Sequence, residues 1–173
     1  MLPNLVRQFE GLLGQRKFDR HMLANSGIPH VGGNILCTLV QDWLLDENRA
    51  GRHGLKDCVW DHFGDRMPTF KEVFGKAVSE EKQAEEMLRM LNDPATRGKA
   101  VEYSSRDAWE TLRLSNYLQG ELDKEDTGLG GTLLDHYWEI EEPFGRVLYN
   151  MERRGVMVDL AYLEQIGPGI QDR

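Results

Sequence analysis

Cysteine is scarce in this 173-residue chain, with Cys37 and Cys58 the only two. Neither stands in a CxxC or in any zinc-type spacing, which excludes a zinc knuckle and a disulfide framework and leaves two reduced thiols. The five histidines, His21, His30, His53, His62 and His136, form no HxxxH or HxH pair, so a histidine metal site is not expected. Long apolar runs are missing too: nothing approaches the ~20 residues of a membrane span. The opening Met1-Leu2-Pro3-Asn4 lacks the basic start and apolar core of a signal peptide. A cytoplasmic compartment without a membrane partner is the expectation. Positive charge is also in deficit, since the net charge is -8 and the pI about 5.1. No basic field announces nucleic acid. A site that collects carboxylates around metal is itself acidic, however, and DNA contacts can be few and local. What is present is 40% hydrophobic residues, enough to bury one ordinary core.

Along the chain, Leu5 to Phe9 reads as a helix end and Gly11 to Gly14 as a short strand. Phe18 to Asn25 reads as a short helix stopped by Gly27, with Pro29 beyond it. Gly32-Gly33-Asn34 is a turn, and Ile35-Leu36-Cys37 a brief strand feeding a helix from Leu39 to Leu45. Thr69 and Glu72 have capping-box spacing for a helix reaching Gly75. An acidic-fronted helix follows from Glu80 to Asn92, and Asp93-Pro94 should restart a helix running to about Leu122. Three glycines within Gly128 to Gly131 mark the expected domain break. Beyond it, Leu134 to Arg154 reads as a long helix kinked at Pro143 and ended by Gly155. Val156 to Val158 is extended, and Asp159 caps a final helix.

Within the helix after Pro94, Ala100, Ser104, Asp107, Ala108, Thr111 and Ser115 recur at three- and four-residue steps and form a face of small side chains. Asp107 is its one charged member. A carboxylate removed from water costs several kcal/mol unless a cation or several donors compensate. Asp107 is therefore either a metal or catalytic group, or a hydrogen-bonded, partly exposed one. Tyr103, four residues earlier on the same side, reads by itself as packing. Asp19 just ahead of a short helix reads as an N-cap worth ~1 kcal/mol or, alternatively, as a ligand.

Resemblance weighs on both choices. Gly14-Gln15-Arg16-Lys17-Phe18-Asp19-Arg20 resembles the second exonuclease motif of family A DNA polymerases, Asn-x-x-(Phe/Tyr)-Asp, and Tyr103-Ser104-Ser105-Arg106-Asp107 resembles their third, Tyr-x-x-x-Asp. The family pattern continues through His21 to Ile28, Gly51 to Asp57 and Pro68 to Lys76. Glu139 to Pro143 and Val147 to Asp159 resemble the entry to the polymerase domain, a segment that other exonucleases of the superfamily lack. The similarity covers most of the chain, in the family's order.

The resemblance implies an α/β fold, the ribonuclease H-like 3′→5′ exonuclease fold without its early strands, so that this chain should be predominantly helical. It implies residues 1–127 as the C-terminal part of a proofreading exonuclease domain, 128–133 as a linker and 134–173 as the start of a polymerase domain. Family members hold two divalent metals about 3.5–4 Å apart with four carboxylates and cut the 3′-terminal phosphodiester of DNA. Carboxylate oxygens suit Mg²⁺ or Mn²⁺. Asp19 and Asp107 would be two of the metal ligands, and Tyr103 the hydroxyl that orients water. Gln15, standing where the family has Asn, and Arg52 would meet the DNA, and Phe70 an unstacked base at its 3′ end. The implied partners are a single-stranded 3′ primer end, the remaining exonuclease strands and a polymerase domain.

The eighteen residues before Asp19 contain no Asp-x-Glu, the family's first motif. The expected function is accordingly the proofreading region of a polymerase I-like enzyme, inactive alone. The alternatives are a non-catalytic scaffold or DNA-binding module, and a split subunit completed by another polypeptide.

Overall fold

The computed structural model describes residues 16–28, 35–49, 51–75 and 80–171. The elements expected over Leu5–Phe9, Gly11–Gly14 and Gly32–Asn34, and the site residue Gln15, lie outside that set. Nine α-helices follow one another among the described residues, with no strand; Cys37 stands in bridge pairing, and an isolated bridge joins Asp126 and Thr132. The mostly helical character expected of the chain is therefore observed.

Helix α1 covers Arg16–Asn25, α2 Thr38–Leu45, α3 Leu55–Phe63, α4 Phe70–Phe74 and α5 Glu80–Asn92. The 26-residue α6, Arg97–Leu122, is the central element. Its face Leu114, Leu118, Leu122 is fully buried at four-residue steps, with Ala100, Glu110, Thr111 and Ser115 beside it. Helices α2, α3 and α5 all pack on α6. Cys58 of α3 joins Leu114 and Leu118 in the core, flanked by Leu45, Leu55 and Phe63. Truncating such a buried leucine to alanine costs about 2–5 kcal/mol. Of the small-residue face expected on this helix, Ala100, Thr111 and Ser115 are buried, whereas Ser104 and Ala108 are exposed.

Local signals explain most helix ends. Thr69 and Glu72 form the expected reciprocal capping box, and α4 stops at Gly75, whose φ is 71°. The restart at Asp93-Pro94 is displaced: Asp93 accepts the Ala95 N–H at 2.9 Å, making a turn, and the helix begins only at Arg97. A short aspartate side chain competes with the helix for nearby backbone donors. Helix α1 likewise starts earlier than read, which puts Asp19 inside its first turn and not at the cap.

The glycine segment expected as a linker is a self-bonded turn. Thr127 N and Oγ1 both donate to Gly131 O, at 3.1 and 3.0 Å, and Leu133 N donates to Glu125 O at 2.9 Å. At Gly131, with φ 100°, a Cβ would sit 3.1 Å from Asp135 Oδ2. Helix α7, Leu133–His136, then runs through a π-helical turn, Tyr137–Glu141, into α8, Glu142–Arg154. The widened turn lies just ahead of Pro143, which has no N–H to close an ordinary helical bond. Pro143 thus occupies the first turn of α8. Helix α9, Leu160–Gln171, opens with Asp159 accepting the Tyr162 N–H at 3.0 Å.

The second half of the chain closes onto the first. Tyr137 is fully buried; its hydroxyl accepts from Cys37 N at 2.8 Å and donates to Ile35 O at 3.2 Å. Helix α8 packs on α1, with Glu152 pairing to Lys17 at 2.6 Å and to His21 at 2.8 Å.

Candidate functional site

Helical periodicity places Tyr103 and Asp107 one turn apart on α6. The loop before α4 and the start of α3 supply the facing groups. Lys56 Nζ donates to Tyr103 Oη at 3.0 Å and to Pro68 O at 2.9 Å, and stands 5.1 Å from the Tyr103 ring centroid. Phe70 and Phe74, brought together by the short capped helix α4, meet the Tyr103 ring at centroid distances of 6.1 and 5.6 Å. A cavity of about 130 Å³ opens beside them, lined by Pro68, Val73, Lys99, Glu102, Tyr103 and Arg106. Asp107 is half-buried. Burial pushes its carboxyl above the usual range, and the charges of Lys56 and Arg106 oppose that shift.

Phe70 is 7% exposed. Its ring packs on Phe74, 4.5 Å away between centroids, and meets Tyr103 edge-on. Arg52 is well exposed and holds Asp61 Oδ1 at 2.7 Å. Asp19 sits half-buried on α1, the helix that packs on α8. Tyr103, Asp107 and Phe70 thus share one neighbourhood, while Arg52 belongs to the Asp61 pair on the α2–α3 turn. Among the described residues no group of three or more His, Cys, Asp or Glu side chains could hold a metal ion. Asp19 and Asp107 by themselves offer too few oxygens for Mg²⁺ or Mn²⁺. Among the described residues the carboxylates are too few to complete a metal pair, and further oxygens would have to be added to Asp19 and Asp107.

Sequence reading missed a second charged cluster, at the α2–α3 turn. Asp42 is 1% exposed and receives His62 Nε2 at 2.6 Å, His53 Nδ1 at 2.7 Å and Arg49 Nη1. Arg49 also pairs with Asp61, and so links Asp42 to the partner of Arg52. Burial pushes the Asp42 carboxyl up, but hydrogen bonds from His62, His53 and Cys58, with the Arg49 charge, hold it below the usual range. The same burial and the Asp42 charge push the Cys58 thiol up to about 12. These partners are 7 to 20 residues apart in the chain, so no local spacing discloses them. Lys56 was equally hidden, 47 residues from Tyr103, although it lies within the family-like segment Gly51 to Asp57.

No helix among the described residues is long and apolar enough to cross a membrane. No family model matches the chain. Known proteins do. DNA polymerase I of Chloroflexus aurantiacus is 31% identical over 153 residues, covering 87% of this chain and 14% of the relative. DNA polymerase I of Treponema pallidum is 31% identical over 157 residues, 90% of this chain and 14% of the relative. The chloroplastic DNA polymerase I A of Oryza sativa is 43% identical over 170 residues, 86% of this chain and 16% of the relative. The chain therefore spans about one-seventh of the length of the curated relatives it matches. By these similarities it belongs to the DNA polymerase I-like enzymes, family A.

Proposed function

We propose that the chain is the proofreading region of a DNA polymerase I-like enzyme, serving 3′→5′ hydrolysis of the terminal phosphodiester of DNA. The observation that carries this reading is the placement of Tyr103 and Asp107, the Tyr-x-x-x-Asp pair, on one face of α6 beside Lys56, Phe70 and Phe74. In this reading residues 1–127 derive from a ribonuclease H-like exonuclease domain and 134–173 begin a polymerase domain. The compartment is proposed as cytoplasmic, although the rice relative named above is chloroplastic.

The residues divide by what they can do. Tyr103 presents a hydroxyl next to the Asp107 carboxylate and orients a water or a substrate oxygen. Arg52, exposed on the α2–α3 turn, meets a backbone phosphate by exchanging Asp61 for it. Gln15 is assigned to the same DNA. Phe70 offers at most a ring edge to a 3′-terminal base and otherwise supports the Tyr103 ring. Asp19 and Asp107 are assigned as two ligands of an Mg²⁺ or Mn²⁺ pair whose remaining carboxylates come from an Asp-x-Glu strand. When bound there, such a pair would supply an activated water and charge stabilisation of the leaving oxygen.

The same gap supports a second reading, a non-catalytic exonuclease-like scaffold that orders a polymerase or holds DNA. Digestion of 3′-labelled single-stranded DNA separates the two. This chain alone should release no Mg²⁺-dependent product, and a longer chain that adds an Asp-x-Glu strand should, with cleavage abolished by Asp19→Ala or Asp107→Ala. Cleavage by this chain alone, lost in its Asp107→Ala variant, would show the incomplete-site reasoning to be wrong. A longer chain that binds metal and DNA but does not cut favours the scaffold.

A further inference from the structure

The Lys56 ammonium is a cation that the exonuclease motifs do not account for, held at a fixed place by three surroundings. It donates to Pro68 O at 2.9 Å and to Tyr103 Oη at 3.0 Å, both partly buried bonds, and its charge acts on Asp107. An ammonium is a donor only, so in its bond to Tyr103 the phenol oxygen must accept. That choice fixes the direction of the phenol's own proton, which is left to donate away from Lys56. A free tyrosine hydroxyl can donate or accept in any direction; toward Lys56 this one can only accept. Phe70 and Phe74 pack against the ring and limit its swing, at centroid distances of 6.1 and 5.6 Å.

We propose that Lys56 is a positioning residue for Tyr103: by occupying one lone pair of the phenol oxygen it commits Tyr103 to donate its proton to the attacking water or to a phosphate oxygen of the DNA. The inference rests on the proofreading reading and deepens it, since it states which hydrogen-bonding role Tyr103 plays and which residue imposes it. Lys56 is given no contact with DNA or the reacting atoms: its directed bond is to Tyr103, and its charge offsets the burial of Asp107.

Two measurements test it. In this chain, the ¹⁵Nζ resonance of Lys56 should shift in Tyr103→Phe, because one of the two oxygen acceptors of its ammonium is lost while Pro68 O remains. In the longer, Asp-x-Glu-containing chain, Lys56→Met and Tyr103→Phe should each lower kcat, on the order of 10²-fold for a misplaced group, with KM for single-stranded DNA unchanged. The double variant should be no slower than Tyr103→Phe alone, and Lys56→Arg, which keeps a cationic donor, should recover part of the rate. An unshifted ¹⁵Nζ resonance overturns the inference whatever the nuclease does. Rate losses that multiply in the double variant overturn it as well, because they would place the effect of Lys56 in its Pro68 bond or in its charge on Asp107. A folded longer chain that cuts no DNA overturns the proofreading reading and this inference with it, even if the resonance shifts.

Discussion

Replacing Asp42 by Asn removes one charge from a cage built to receive it. The carboxylate accepts from His62 at 2.6 Å, from His53 at 2.7 Å and from Arg49, while only 1% exposed. An amide of the same shape keeps one acceptor and turns an NH₂ toward groups that donate. Hydrogen bonds to a charged group contribute about 1.5–3 kcal/mol each, and removing one partner of a buried pair costs about 3–5 kcal/mol. Loss of roughly 3 kcal/mol is expected for Asp42→Asn, taking the lower end because Arg49 retains Asp61. In a chain of this size each kcal/mol moves Tm by about 2–4 °C, so the midpoint should fall by about 6–12 °C. Helical circular dichroism during thermal and urea unfolding reads both quantities. The effect has a pH signature. The folded carboxyl lies below its unfolded value of about 3.9, so its contribution is complete above that pH and is lost as pH falls through the lower folded value. The gap between wild type and Asp42→Asn should therefore be full at pH 7 and shrink below about pH 4. A deficit under about 1 kcal/mol at pH 7, or one that does not change with pH, would refute the charge-cage explanation.

Other outcomes follow from burial and pairing. Cys58, fully buried with its thiol pushed up to about 12, should react with a disulfide reagent at pH 8 on the order of a thousandfold more slowly than an unfolded thiol of pKa about 8.5; labelling at the unfolded rate under native conditions counts against it. Gln41 is fully buried on α2, and neither its Oε1 nor its Nε2 finds a hydrogen-bond partner among the described residues. Gln41→Met should accordingly raise stability by about 1 kcal/mol in urea unfolding, and a loss of stability would point to a bonded amide. Phe70→Ala should destabilise by about 3 kcal/mol through lost packing on Phe74 and Tyr103. Near-wild-type unfolding with weakened binding of single-stranded DNA would instead assign Phe70 to the base contact.

Elements with local punctuation were legible in the sequence. Thr69 with Glu72, Gly75, Gly155 and Asp159 each act within four residues, and each ends or begins the helix it was read to. Helix α3 was missed because it has no side-chain cap at Gly54 and its buried residues, Cys58 and Val59, make no stripe. Residues 128–133 read as a linker because three glycines fall together there, and the bonds from Thr127 and Leu133 that shape the turn follow from backbone geometry, which composition does not show. The π-helical turn ahead of Pro143 has no sequence sign beyond the proline itself. Of the candidate site, the Tyr103–Asp107 spacing was visible because helical period is local. Lys56, Asp42 and Asp61 were not, because their partners arrive only when α2, α3 and α6 pack together.

Asp107 itself shows how far charge alone can carry the reading. A half-buried carboxylate on a helix face demands compensation, and a metal is one way to provide it. Here Lys56 and Arg106 already oppose the burial that pushes Asp107 up. The carboxylate is thus tolerable without any ion, and its burial does not by itself distinguish a nuclease from a scaffold. The distinction lies with Tyr103. A scaffold gains from the hydroxyl only the stability of its bond to Lys56, about 1.5–3 kcal/mol, since packing against Phe70 and Phe74 needs only the ring. A nuclease gains a donor of set direction. Tyr103→Phe, which keeps the ring and removes the bond to Lys56, should therefore lower only stability if the scaffold reading holds, and should lower kcat of the longer chain as well if the proofreading reading holds.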